Sequence, residues 1–537
     1  MSRAVAAIAV VAAGCTTGPQ LVGAQPSWRG GGSPATGATG SAAGPAGVRT
    51  FAPAGPAART YNAPLEAPPS GPVEAAVIAA VRDAATRAKL AAPVADARLF
   101  RACAELAAIM PATNVIDYPF VEFALQRNGI IEPAPHLYVW WGPLDPRSIV
   151  DQLAPDLASL LGTGGPARFG IGAVARRPDG TGAIVFALQD TAVALAELPR
   201  ALPAGGSVVL DAVIDRRYRE PEVFVTREDG RPEQLAITSP RADGFRLTFA
   251  CGGHRGRQQL EISASDASGP SVLANFPVWC GTAPPDAATE VTGDDPPATT
   301  PEAAERYVLD AVNRDRAAAG LAVLAWDEPL AGVARGHSAE MHDRHEVAHV
   351  SPVTGSVGDR IHAAKIRTRL VLENVARAYS VRQLHQGLMS SPGHRFNLMS
   401  TEVNHIGIGV VFGAPVAGSR EMFVTEVFSY VPPAIDGATA LRTVRDKLAA
   451  ARPKLGYQQA LVAPAQLYAG ARASGMAHDR AYQQLRPQLD AYYKQYARVS
   501  LLVVPTDDVA HLDLAAQLGS LDGDEYGVAV AQGPDPD

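Results

Sequence analysis

No positive excess marks this chain. Its 47 Lys and Arg stand against 54 Asp and Glu, a formal net charge of −7. No basic stripe carries interleaved aromatics, so the footprint of a nucleic-acid binder is missing. Cysteine is scarce, four in 537 residues, and no C-x-x-C occurs. That removes thioredoxin-like redox chemistry and cysteine-based zinc ribbons. No G-x-S-x-G elbow, P-loop G-x-x-x-x-G-K or dinucleotide fingerprint after a strand is found. Apart from Ala4 to Ala13, which is too short to span a bilayer as a mature helix, long apolar runs are also missing. The chain does have ample apolar content, 47%, enough for several cores, and its length implies two to four domains.

The N-terminus reads as an export signal. Met1-Ser2-Arg3 supplies a short positive region, Ala4 to Ala13 the apolar one, and Val11-Ala12-Ala13-Gly14-Cys15 resembles a bacterial lipobox. Such a signal implies cleavage before Cys15 and lipidation of that residue, hence a lipid-anchored cell-envelope protein; Thr16 after it favours outer-membrane sorting. An ordinary secretory signal is the plainer alternative. In an exported protein Cys251 and Cys280, which share one β-rich segment, are the expected disulfide. Cys103, inside F-R-A-C-A-E-L-A-A-I-M, is expected to be a buried packing residue.

Composition and periodicity divide the chain as follows: residues 1–15 as lipoprotein signal, 16–72 as a disordered Gly/Ala/Pro-rich tether, 73–203 as an α/β domain, 204–281 as a small β-sandwich-like domain, 282–300 as a linker, 301–433 as the best-defined domain and 434–537 as a C-terminal α/β segment. The sandwich expectation rests on short alternating runs between turn residues, among them V-V-L-D-A-V-I, F-R-L-T-F-A-C and L-E-I-S-A. Thr300-Pro301 and Ser380…Gln383 are helix-start signals; the second predicts a helix from Val381 to Met389, stopped by Ser391-Pro392-Gly393, with a strand from Ile406 to Phe412 beyond.

The ordered elements A-H-V-S-P-V-T-G-S-V-G-D-R-I, then L-E-N-V-A, then S-P-G-H-R-F-N-L-M and N-H-I-G-I-G-V-V-F carry a resemblance that none of them carries alone. Together they resemble the bacterial branch of the CAP family, the SCP/PR-1-like, cysteine-rich-secretory-protein superfamily. The resemblance covers roughly residues 301–430. It implies an α-β-α sandwich domain inside an α+β chain, with a cleft that usually holds two histidines and two acidic residues and can hold a divalent cation. Carried over, the histidines are His349 and His394 and one acid is Glu373; Ser391 stands near the fourth, acidic position, and Asn374 completes the cleft set. His349, His394 and Glu373 are suitable zinc ligands, with water completing the site and Ser391 or Asn397 behind the imidazoles. The other reading is that the histidines only hydrogen-bond Glu373 and pin the loops. Asn374 is expected to support a turn, and Asp359-Arg360 to pair locally.

His345-Glu346-Val347-Ala348-His349 also matches H-E-x-x-H. A zinc protease would need both histidines on one helix face, and Ser351-Pro352 with Thr354-Gly355 end any helix there almost at once. The resemblance leaves His345 and Glu346 as a solvated helix end. His254 reads as a loop histidine, and Asp507-Asp508 and residues 522–525 as acidic loops. A repeat is also suggested: three Ala-rich helix pairs, each followed by a Gly-bearing strand, F-G-I-G-A-V-A, I-G-I-G-V-V-F and Y-G-V-A-V-A. Degenerate CAP-like units and unrelated helix pairs both remain open.

CAP domains serve in binding more often than in established catalysis. The functional expectation is therefore a non-enzymatic extracytoplasmic binding module for a lipid, glycan, peptide or protein ligand. A divalent-cation-dependent hydrolase using His349, Glu373 and His394 is the alternative, and a self-plugged cleft would indicate a structural role.

Overall fold

The computed structural model describes residues 5–13, 47–111, 116–162, 167–292, 298–366, 368, 370–416, 419–431, 436–506, 509–510, 512–518 and 523–533. The low-complexity tract from Gln25 to Ala46, Cys15 and the acidic Asp507, Asp508 and Asp522 lie outside them. By compactness the chain forms two units. One comprises Met1–Gln20, Lys365–Val371 and Ser429–Asp537, the other Leu21–Ala364 and Leu372–Phe428.

The first strand, β1 (Val5–Ala13), belongs to the sheet of the C-terminal unit. There it runs parallel between the strands Arg498–Pro505 and Glu525–Gln532. The apolar segment read as part of a leader is thus paired along its whole length, which satisfies its backbone N–H and C=O groups.

In the larger unit, β2 (Gly47–Phe51) and β3 (Thr60–Tyr61) fall inside the stretch expected as tether. The tether therefore ends earlier than composition indicates. Phe51 packs edge-on to Phe120 and Phe123, and the buried Tyr61 donates from its hydroxyl to the Pro277 carbonyl at 2.8 Å. Two large aromatics repay the ordering of a segment that is otherwise poor in apolar side chains.

An α/β layer follows: α1 (Pro72–Ala88), β4 (Val94–Ala95), α2 (Ala97–Ile109), α3 (Tyr118–Arg127), β5 (His136–Pro143), α4 (Pro146–Leu160), β6 (Ala167–Ala175) and β7 (Thr181–Asp190). Its sheet order is β4-β6-β7-β5. Cys103 is buried in its core, where burial pushes the thiol pKa up, as expected of a packing cysteine.

The sandwich comprises β8 (Val193–Leu195), β9 (Leu198–Pro199), β10 (Ala201–Leu202), β11 (Ser207–Ile214), β12 (Arg219–Thr226), β13 (Pro232–Leu235), β14 (Ser239–Arg241), β15 (Gly244–Ala250), β16 (Gly256–Asp266) and β17 (Gly269–Cys280). Apart from β9, which pairs with β3, these form two sheets, β10-β17-β16-β12-β13 and β14-β15-β11-β8, over a core that includes Leu210, Val223, Phe245, Phe249, Leu260 and Phe276. Cys251 and Cys280 form the expected disulfide, with Cα atoms 5.7 Å apart. Replacing both by Ala should lower the stability of the sandwich by about 2–4 kcal/mol, read from denaturant unfolding of the full chain; an unchanged midpoint would show that the cross-link is dispensable. β18 (Ala288–Thr292) pairs with β2 inside the expected linker, which is therefore ordered at that point.

The next region contains α5 (Pro301–Ala318), β19 (Ala325–Trp326), α6 (Glu328–Arg344), α7 (Val357–Ala363), β20 (Val371–Ala378), α8 (Val381–Ser390), α9 (Pro392–Leu398), β21 (His405–Val416) and β22 (Ser419–Ser429). The start signals hold: Thr300 Oγ1 accepts from Ala303 N, and Ser380 Oγ from Gln383 N. Ser391-Pro392-Gly393 does end α8, but Pro392 also opens α9, where its missing N–H costs nothing. The sheet order is β19-β21-β22-β20, which matches β4-β6-β7-β5 element for element.

Two glycines do the same work in both layers. A Cβ built on Gly407 or Gly409 of β21 would stand 2.1 Å from the backbone nitrogen of Ala331 or Arg335 in α6. On Gly170 or Gly172 of β6 it would stand 2.5 or 2.2 Å from backbone atoms of Phe100 or Ala104 in α2. The G-x-G of each strand is what lets a helix lie directly on the sheet.

The C-terminal unit keeps a related order: α10 (Gly437–Ala451), β23 (Gly456–Tyr457), α11 (Val462–Ala473), α12 (His478–Tyr492), β24 (Arg498–Pro505), α13 (Leu514–Gln517) and β25 (Glu525–Gln532). Its sheet order is β23-β25-β1-β24, so β1 occupies the place that β22 takes in the preceding region. Gly527 again lies against helix-entry backbone, its added Cβ 2.3 Å from the Leu461 carbonyl carbon.

Candidate functional site

The histidines expected in the cleft come together, and they are buried. His349 is 2% exposed, and His394 and Glu373 are 0% exposed. His349 leaves the loop after α6, Glu373 projects from β20 and His394 from α9.

His349 Nδ1 lies 2.9 Å from Glu373 Oε2, and the other carboxylate oxygen of Glu373 accepts from Arg360 Nη2. Burial works against the charge on Glu373. The His349 hydrogen bond and the Arg360 guanidinium outweigh it and hold the carboxyl below its ordinary range. An ionised carboxylate at Nδ1 keeps the imidazole proton there and turns Nε2 into a lone pair. Both oxygens of Glu373 are thus engaged behind His349. Arg360 was expected to pair with Asp359. Instead Asp359 closes a capping box with Ser356 on α7, and Arg360 turns inward to Glu373 and the His349 and Gly355 carbonyls. A guanidinium is the group the buried acid needs.

At the other histidine, Nδ1 of His394 lies 2.7 Å from Ser391 Oγ. Burial, and then the charge of His349, push the His394 pKa well below the ordinary histidine range, so the ring is neutral. The Nε2 atoms of His349 and His394 are both buried, and neither has a hydrogen-bond partner among the described residues. Two neighbouring buried imidazoles, each with an orphaned Nε2, suit a small cation. Among the described residues no cluster of three His, Cys, Asp or Glu is arranged to hold a metal. Two imidazoles are therefore what the protein offers, and water would supply the other positions.

Asn374, expected in a turn, lies in β20. Its Nδ2 donates to Glu426 Oε2 at 2.9 Å, while Asn397 Nδ2 donates to its Oδ1 at 3.0 Å and to the Glu373 carbonyl at 3.1 Å. Glu426 is wholly buried, and that burial pushes its carboxyl up to about 7. Nothing in the local sequence signalled Glu426: it is an acid in an apolar strand, brought in by sheet pairing.

His345 is the left-handed C-cap of α6, with φ 51°, so H-E-x-x-H never lies on one helix. Glu346 pairs with Arg344 at the surface, and only His349 of the motif enters the site. His254 stays in an exposed loop, 3.2 Å from Glu228.

The cleft is covered by the sandwich. The β16–β17 turn places the Ser268 carbonyl 3.0 Å from the amide nitrogens of both His349 and Val350. Gly269, at φ +97°, lies so near that an added Cβ would stand 2.8 Å from the Cβ of His349. Beside this junction a cavity of about 200 Å³ is lined by Ser268, His337, Glu340, Arg344 and Pro352 among others, but by none of His349, Glu373 and His394.

Residues 309–427 match the model of the cysteine-rich secretory protein family, CAP. The chain is 37% identical over 107 residues to the uncharacterized membrane protein YlbC of Bacillus subtilis, covering 20% of this chain and 31% of that one. It is 33% identical over 108 residues to the uncharacterized protein YkwD of the same organism, covering 20% and 42%. The chain thus spans less than half the length of these relatives. A solved extracellular protein containing an SCP domain, from Bacillus anthracis, aligns at 24% identity over 33% of this chain and 60% of its own, with a TM-score of 0.22. With the ordered motifs, the family match and the two curated relatives in agreement, residues 309–427 of this α+β chain form a domain of the CAP superfamily.

Proposed function

We propose that this protein is an exported, lipid-anchored envelope protein whose CAP domain is a binding module, with a divalent cation held between His349 and His394 in a closed cleft. Export and lipidation at Cys15 are supported by Met1-Ser2-Arg3, the short apolar run and the Gly14-Cys15 junction; the cleavage they imply would remove β1 from the C-terminal sheet. Among the described residues no helix is long and apolar enough to cross a membrane.

The observation that carries the cation is the pair of buried, unpartnered Nε2 atoms. His349 and His394 would be the ligands. Glu373, both of whose oxygens are occupied, orients His349 and strengthens it as a donor. Bound there, a zinc-like cation would cross-link the loop after α6 to α9. The hydrolase alternative is disfavoured because the groups it would use are sealed from substrate; the cleft holds a β-turn of the chain itself, which supports a structural role for the cleft and leaves any ligand of the module to bind outside it.

Zinc titration of the full chain by calorimetry tests the reading. Micromolar binding is expected, lost in both His349→Ala and His394→Ala. A wild-type chain that takes up no zinc, or any other first-row divalent ion, would sink the cation and leave the two histidines as scaffolding.

A further inference from the structure

We propose that the CAP cleft is completed from outside the CAP domain: Glu261 of the β-sandwich is its second carboxylate, and it positions His394 through Ser391. This rests on reading His349 and His394 as cation ligands, and it names the group that prepares the second of them.

Glu261 is a central residue of β16 and is 0% exposed. It points not into the sandwich core but at the CAP domain. Its Oε2 accepts from Ser391 Oγ, and its Oε1 accepts from the Gly393 amide at 3.0 Å. Ser391 Oγ in turn lies 2.7 Å from His394 Nδ1. The result is a continuous line, carboxylate to hydroxyl to imidazole. Its neighbours are also seated. Asn275, paired with Glu261 across the hairpin, donates to the Ser390 carbonyl at 3.3 Å; Arg395 Nε donates to the Gly230 carbonyl at 2.7 Å; and Phe224 and Phe396 lie 5.9 Å apart. One hairpin therefore engages both histidines, through Ser268 at His349 and through Glu261 at His394.

The chemistry is symmetrical. Glu373 fixes the tautomer of His349 directly, and ionised Glu261 fixes that of His394 by relay. A carboxylate that accepts from Ser391 leaves the serine oxygen to accept from Nδ1–H, which frees Nε2 as a lone pair. The CAP segment itself has Ser391 where the family resemblance leads one to look for an acid. Burial pushes Glu261 up to about 8, only partly opposed by the Ser391 and Gly393 hydrogen bonds, so the charged form that sets this relay prevails only above that pH.

The test is Glu261→Gln in the full chain. Gly393 N–H would hold the amide oxygen, so the amide nitrogen would donate to Ser391. The serine would then donate to Nδ1, and the proton of His394 would move to Nε2. Nitrogen-15 NMR of the imidazoles, at a pH above the pKa of Glu261, should show His394 protonated at Nδ1 in the wild type and at Nε2 in the variant, with His349 unchanged. At that same pH, zinc affinity should fall about 10- to 100-fold. A His394 tautomer that is the same in both chains would overturn the proposal, whatever zinc does. The NMR readout needs no metal, so failure of the wild type to bind zinc would remove the cation reading and leave the Glu261 assignment to be judged by the tautomer. Should Glu261→Gln not fold, Ser391→Ala breaks the same relay. It should leave His394 indifferent to pH across the titration of Glu261, whereas a persisting response would overturn the proposal.

Discussion

Gly409→Val should abolish the folded CAP domain. Its new Cβ would stand 2.1 Å from the Arg335 nitrogen and 2.3 Å from the Ala334 carbonyl carbon, both backbone atoms of α6. A side chain can swing away from such a clash, but a helix backbone cannot, and α6 packs along the length of β21 with its buried Leu330, Ala331 and Ala334. Overpacking a core costs about 1–3 kcal/mol when side chains absorb it. Here the whole helix must lift, so the loss should exceed about 3 kcal/mol. Gly413→Val, on the same strand, is the control: an added Cβ there meets nothing nearer than the Glu421 side chain at 3.5 Å. Hydrogen exchange of the β21 and α6 amides should show protection lost in the first variant and kept in the second. Equal protection in both would mean that the close approach of helix and sheet is not what the glycine provides.

The second large effect is expected at Arg360→Met. Removing the guanidinium leaves Glu373 buried and charged, with His349 as its remaining side-chain partner. Breaking a buried ion pair from one side costs about 3–5 kcal/mol. The pH dependence follows. Glu373 has a depressed folded-state pKa, so the stability it contributes is present above the ordinary carboxylate range and is lost as pH falls through the folded value. Without Arg360, one of the groups that hold the carboxyl down is lost and the folded pKa rises, so acid unfolding should begin at a higher pH. Arg360→Met with Glu373→Gln removes both charges and should recover much of the loss. Thermal unfolding of the three chains across the acid range checks this. A double variant no better than the single one would show that Arg360 acts through the Gly355 and His349 carbonyls rather than through Glu373.

Local sequence suffices where a feature depends on neighbours in the chain or on one residue type with one use. The Ser380 cap, the Thr300-Pro301 start, the Cys251–Cys280 pair and the strand around I-G-I-G-V were legible for that reason. The repeat signal in the Gly-bearing strands was legible too, and both G-x-G pairs turn out to sit under helix backbone. Other residues were misjudged because their partners are distant. Phe51 and Tyr61 looked like tether because composition is averaged over a window, whereas a single buried aromatic can anchor a strand. Arg360 looked like the partner of Asp359 because adjacency in sequence says nothing about a buried acid thirteen positions away.

Ordered motifs and residue chemistry were enough to reach the CAP superfamily, the α+β class, the disulfide and the three residues His349, Glu373 and His394. What those residues face was settled by packing alone. Whether a cleft is open depends on what lies over it, and here that is a hairpin whose Glu261 stands 130 positions before Ser391 in the chain. Neither Glu261 nor Ser268 carries a local mark of its role. A buried carboxylate is tolerated only where donors converge on it, and such convergence is a property of packing between layers rather than of any stretch of chain. Glu261 and Glu426 are such acids and Arg360 is such a donor, and the closed cleft could be read only from the folded molecule.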